Sequence, residues 1–198
     1  AFEGETLRSR GYRQPPLEAP PPIYLAALRP KMIEMAAEVG DGVIFNLWPR
    51  EALPRMVEHV AIGARAGGKA PESVEIVNRF MVCVTDDVPA ARDRFRANFG
   101  PYYATPVYNK FLSWAGYEEA AATIREGWAQ KDRGKTAAAM TDEMVDAIGI
   151  IGSADHCRER IREAMDGGVH TAIIAPLAGS ADEAQATLDA FTADAFPV

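Results

Sequence analysis

The residues best placed to do chemistry lie in Pro22-Ile23-Tyr24-Leu25-Ala26-Ala27-Leu28-Arg29-Pro30-Lys31-Met32. A short apolar run breaks off at Ala27 into a tight loop, a guanidinium follows, and Pro30 stands where a helix would open. Proline suits the first helical position, because its missing N–H would be unpaired there anyway. The other free N–H groups of such a start point outward and favour an anion. Arg29 could pair with a phosphate beside them. The chemistry on offer is phosphate binding. An ordinary strand–helix turn with an exposed arginine is the alternative, and both stand at this point.

Other candidates are thinner. The three histidines do not cluster. His59 falls on an amphipathic helix, His156 in a helical first turn, and His170 just before a strand, so all three read as structural. No HxxxH, CxxC, GxSxG or Walker spacing occurs, which argues against metal, serine-nucleophile and nucleotide-triphosphate chemistry. Cys83 sits inside a strand, and Cys157 early in a helix beside Arg158, where a thiol pKa can fall. Nothing else marks Cys157 as reactive. Arg79, among apolar residues of a strand, is either a lumen-facing cation or an outward residue paired with a helix carboxylate; the second reading is favoured.

These residues need elements to position them. Strands are expected at Ile23–Ala27, Gly42–Asn46, Val74–Val84 and Val169–Ala175, and Gly42–Asn46 is a continuous apolar run of the kind buried on both faces of a parallel sheet. Helical spacing is expected over Pro30–Val39, residues 50–67, a segment from Pro89 to about Asn98, one from Ser153 through Met165, and Ala181–Ala193. The alternation of strand and helix argues for parallel β/α units. Residues 101–150 interrupt it with aromatic, helical sequence, in which Ala147-Ile148-Gly149-Ile150-Ile151 is the one short apolar run. In such units ligands bind at the C-terminal strand ends. Those ends are Ala26–Arg29, Asn46-Leu47-Trp48, the region of Thr85, and Ala175-Pro176-Leu177. Residues 1–21, with Pro15, Pro16, Pro20 and Pro21, read as a loop or extended lead-in to a domain spanning 22–198.

Composition narrows the class. The 198 residues are 48% hydrophobic and 25% charged, with a net charge of −7 and no dense Lys/Arg block, so nucleic acid is a poor partner. No run approaches the roughly 18 apolar residues that span a bilayer, and no signal-peptide pattern occurs. Two distant cysteines read as free thiols of a reducing cytoplasm. The chain starts on Ala1-Phe2-Glu3-Gly4 without methionine, as if entered mid-protein.

With these residues placed, the chain resembles the C-terminal half of the bacterial-luciferase-like flavin and deazaflavin oxidoreductases, most closely the subgroup using coenzyme F-420. The likeness rests on Pro22–Lys31 followed by Gly40-Asp41-Gly42-Val43, and on Val82-Cys83-Val84-Thr85-Asp86-Asp87. Tyr102-Tyr103-Ala104-Thr105-Pro106-Val107-Tyr108, the run Ile151 to Arg160, and Gly168-Val169-His170-Thr171 reinforce it. The resemblance implies the C-terminal half of a (β/α)8 TIM barrel, about four parallel strands, with a helical insertion at about 101–150 before the last strand. It implies cofactor contacts from Ala27, Leu28, Arg29 and Pro30, with Asn46 and Leu47 on the same rim. The implied chemistry is hydride transfer between reduced deazaflavin and a small organic substrate, the cofactor carrying it and the protein orienting it. The family's proton-handling residues lie mostly in the N-terminal half, so no catalytic residue is named. The chain alone is expected to be inactive and to pair its open edges with another copy or with a missing N-terminal half. Two alternatives remain: an FMN-dependent monooxygenase, and a non-catalytic cofactor-binding or dimerising half-barrel.

Overall fold

The computed structural model describes residues 1–11, 15 and 18–197. The lead-in, expected as a loop or extended segment, contains a small antiparallel ladder, β1 (Phe2–Glu3) with β2 (Arg8–Ser9). Pro16 of the proline tract lies outside the described residues. A five-stranded sheet, parallel at every pairing, organises the rest: β3 (Tyr24–Ala26), β4 (Gly42–Asn46), β5 (Glu75–Val84), β6 (Ile150–Gly152) and β7 (Thr171–Pro176).

The fifth strand corrects the expectation of four. β5 is ten residues long and β4 only five, so β4 covers Glu75 to Arg79 and leaves the upper end of that edge open. β6 fills it, pairing with Val82 to Val84. Hydrogen bonds show the arrangement. The Glu75 and Thr85 N–H groups donate to the Asp41 and Gly152 carbonyls on one edge, whereas the Ile76 and Val82 carbonyls accept from His170 and Leu177 on the other. β4 and β6 therefore share one edge of β5, and β7 takes the opposite one. The apolar run Ala147–Ile151 is split between the end of α7 at Ile148 and the start of β6 at Ile150, so it shows neither a helical nor a strand period and reads in sequence only as an apolar scrap.

Helices α1 (Pro30–Val39), α2 (Leu53–Ala66) and α8 (Ala154–Asp166) pack on one face, over Val43, Phe45, Ile76, Phe80 and Val82. Pro30 opens α1, and Ser153 caps α8 by accepting the His156 N–H at 3.2 Å. The other face carries α3 (Val88–Ala104), and the excursion continues through α4 (Pro106–Trp114), α5 (Glu118–Ala129), α6 (Arg133–Ala138) and α7 (Asp142–Ile148). The excursion's core closes on Met81 and Cys83. α3 runs past the expected stop, through Gly100 and Pro101, because Phe95 and Tyr103 on either side of that pair are fully buried and hold the helix in place. The excursion ends at β6, so one further strand and α8 separate it from the last strand. α9 (Ala181–Asp189) closes the chain four residues earlier than its composition suggests.

Below the point where the excursion covers it, that second face stays open. Arg79 and Thr171 are exposed there, and Ile173 is 44% exposed. At its N-terminal margin Glu75 ties three strands together, accepting the Tyr24 and Thr171 hydroxyls at 2.5 Å each. The ring of Tyr24 lies across Gly42, where any side chain would collide with it. The hydrogen bonds from Thr171 and Tyr24 hold the Glu75 carboxyl below its usual pKa. A group shifted down in the folded state stabilises fully above its unfolded pKa, about 4.3 for glutamate, and loses that contribution as pH falls through the lowered value. Urea unfolding of Glu75→Gln is therefore expected to depend less on pH below about 4.3 than the parent does; matching acid profiles would contradict it.

Candidate functional site

At the C-terminal ends of β3 and β4 a cleft of about 340 Å³ opens on the uncovered side of the sheet. Ala26, Ala27, Leu28 and Arg29 form one wall. Ile44 and Asn46 form the floor, and Met32, Val107 and Tyr108 complete the lining. The expected residues Ala27, Leu28, Arg29 and Asn46 are thus brought together. Pro30 and Leu47 do not line the cleft. Pro30 sets the start of α1. Leu47 is 3% exposed and turns away in the left-handed region, φ 54°, while its carbonyl accepts the Tyr103 hydroxyl at 3.1 Å.

The anion-binding geometry is narrower than the sequence suggests. The Met32 and Ile33 N–H groups both donate to the Arg29 carbonyl at 2.9 Å, and Pro30 has none, so in the first turn only the Lys31 N–H remains. Positive charge comes instead from Arg29, which has no carboxylate partner among the described residues; neighbouring Lys31 is held by Glu34 at 2.8 Å. Opposite it, Asn46 Oδ1 is buried with no donor among the described residues. Buried polar atoms are nearly always satisfied, so this acceptor faces an unmet demand. A cation and an orphaned acceptor, walled by small and apolar side chains, suit an amphipathic anion that also carries hydroxyl or N–H groups.

Tyr108 and Val107 were legible only as part of an aromatic helix. Pro106 at the first position of α4 is the signal that places Tyr108 in an opening turn. That this turn folds back over β3 and β4 is decided by packing, through the edge-on contact of Tyr108 with Tyr103 at 5.9 Å.

The remaining candidates are structural. Cys83 and Cys157 are buried and free, the Cys157 thiol lying 3.8 Å from three backbone carbonyls. Burial pushes its pKa up to about 12 and raises that of Cys83, so neither supplies a thiolate near neutral pH. His59 Nδ1 lies 2.8 Å from a Glu34 oxygen and links α2 to α1. His170 Nδ1 accepts the Ile76 N–H at 3.0 Å at the base of β7. Arg79 sits opposite Asn46 on the open face, without the expected helix carboxylate among the described residues. Among the described residues no three His, Cys, Asp or Glu side chains gather as metal ligands would, and no helix is long and apolar enough to cross a membrane.

Comparison with known proteins decides the lineage. The family model for luciferase-like monooxygenases matches residues 1–171. The chain belongs to that family. Within it, the chain is 32% identical over 177 residues to a 5,10-methylenetetrahydromethanopterin reductase of Methanolobus tindarius, covering 88% of this chain and 53% of that protein. It is 29% identical over 172 residues to the protein of the same name from Archaeoglobus fulgidus, covering 85% and 52%. Among solved structures it superposes on the coenzyme F-420-dependent tetrahydromethanopterin reductase of Methanopyrus kandleri with a TM-score of 0.66 at 22% identity, over 84% of this chain and 48% of that one. The chain spans about half the length of the curated relatives it matches.

Proposed function

We propose that this chain is the C-terminal half of a (β/α)8 barrel that grips the phosphate-bearing side chain of coenzyme F-420. The whole protein would be an oxidoreductase acting on a small organic substrate. The observation that carries this reading is the convergence on one cleft of Ala27, Leu28, Arg29 and Asn46 Oδ1, the last two without a partner among the described residues. Its volume lies within the range of small-molecule sites. The names of the relatives supply the cofactor and the reaction class. When bound, the deazaflavin would supply the hydride chemistry. Arg29 would pair with the phosphate, the small side chains of Ala26 and Ala27 would let it approach the backbone, and Asn46 would accept from a cofactor hydroxyl. Tyr108 would close the cleft against water.

The half-barrel reading is supported by β3, β4, β5 and β7 neighbouring one another in chain order, with β3 and β7 as free edges and Ile173 exposed on the open face. An N-terminal half, or a second copy, would cover that face.

Oxidised F-420 titrated into the chain and followed by its fluorescence is expected to bind, and Arg29→Ala to weaken binding about 10- to 100-fold, the worth of a hydrogen bond to a charged group. Unchanged affinity would remove the turn from the site. FMN binding more tightly than F-420 in the same titration would shift the reading to a flavin monooxygenase. The chain alone is expected to show no turnover with a substrate panel; robust turnover would overturn the half-barrel assignment.

A further inference from the structure

A second cavity, of about 390 Å³, lies where β4 has ended and β6 has not yet begun along the edge of β5. It opens between the start of α2 and the second half of α8, on the helix-covered side of the sheet, whereas the cleft at Arg29 opens on the other side. Leu53, Phe80 and Ile148 give it an apolar body. Two polar side chains that are more than nine-tenths buried line it as well. Arg160 is 9% exposed and Asn78 2%.

Both present unused donors. Asn78 Oδ1 accepts the Trp48 indole N–H at 2.7 Å, which leaves its amide nitrogen with no acceptor among the described residues. Arg160 uses one nitrogen, Nη1, on Glu163 at 3.1 Å, and the Glu163 side chain is itself 58% exposed. Nε and Nη2 have no partner among the described residues. These nitrogens keep some solvent access, and a largely buried guanidinium with one contact to a solvated carboxylate has room for a second anionic partner. Burial and the neighbouring Arg50 charge both pull its pKa down, and the side chain nonetheless stays cationic at neutral pH.

We infer that this cavity binds a small organic carboxylate, its apolar body among Leu53, Phe80 and Ile148 and its carboxylate received by Arg160 and Asn78. Arg160 and exposed Arg50 stand against Glu51 and Glu163 in the lining, the Arg79 side chain lying on the open face opposite Asn46. With the formal charges even and the unused donors of Arg160 facing the cavity, the lining suits one negative charge better than the two of a phosphate monoester, in a chain whose overall charge is −7. A carboxylate also matches the two-pronged donor geometry of a guanidinium. The site is independent of the cofactor cleft, sharing none of its lining residues.

Calorimetric titration of the chain with octanoate, and in parallel with 1-octanol, tests this. Octanoate is expected to bind at least about tenfold more tightly than octanol, given the strength of hydrogen bonds to a charged group. Arg160→Met is expected to remove that preference by weakening octanoate alone, and Arg160→Lys to restore part of it. Equal binding of the two probes, no octanoate binding, or a preference unchanged in Arg160→Met would overturn the assignment. Should Arg160→Met fail to fold, NMR of the unaltered chain decides. Octanoate is expected to shift the methyl signals of Leu53, Ile148 and Ile150; shifts confined elsewhere would refute the site.

Discussion

Gly63→Ala is expected to destabilise the chain by about 3 kcal/mol, at the upper end of the usual cost of overpacking. Helix propensity alone predicts the opposite, a gain of up to about 1 kcal/mol for alanine inside a helix. Packing wins because α2 crosses α1 with its backbone against Glu34. A Cβ at Gly63 would lie 2.7 Å from the Glu34 carbonyl carbon and closer still to its oxygen. Those are backbone atoms of a helix, so no side chain can rotate away and the two helices must separate. Gly67 repeats the arrangement one turn later against Glu38. Denaturant unfolding reads the effect directly; a midpoint equal to or above the parent's would show that the helices are not in backbone contact.

The second large effect concerns Tyr103, fully buried at the end of α3. Tyr103→Ala is expected to cost about 4 kcal/mol, the range of large aromatic truncations. Tyr103→Phe should cost only about 1 kcal/mol, for the hydrogen bond to the Leu47 carbonyl. The gap separates ring packing from the hydroxyl in one denaturation series. The hydroxyl matters beyond stability, because it secures the left-handed turn at Leu47 that directly follows Asn46. A Tyr103→Phe variant as costly as Tyr103→Ala would mean that the hydrogen bond, not the ring, holds the excursion to the sheet.

The turn at Ala27–Pro30 was legible because its signals are local. An apolar run, a proline at the helix start and a guanidinium between them need no long-range information. β3, β4, β5 and β7 were legible for the same reason, each being an apolar run set off by turn residues. β6 was not, since its apolar run begins inside α7 and acquires its meaning as a strand only from the stretch of β5 that β4 leaves uncovered. The position of Leu47 was hidden too: leucine gives no sign of a positive φ, which it adopts here because Tyr103, 56 residues onward, holds its carbonyl. Arg160 lies in Arg158-Glu159-Arg160-Ile161-Arg162-Glu163, where five of six residues are charged and none is marked in sequence as buried. It is buried because the second half of α8 leans over a gap in the sheet edge, a fact of strand lengths and not of composition.

The return of β6 to the edge of β5 has a further consequence. The chain leaves the sheet after Val84 and rejoins it at Ile150, and Ile150 stands beside Val82. Everything between therefore departs from and arrives at the same spot, as a closed appendage whose stem is already zipped. Such a segment can lengthen, shorten or be exchanged for another at little entropic cost, because each doubling of a loop adds only about 0.6 kcal/mol to its closure. The register of β4, β5 and β7 would be untouched. Since this appendage also lends Val107 and Tyr108 to the cleft, the chain can alter what faces the ligand without rebuilding the turn that holds it.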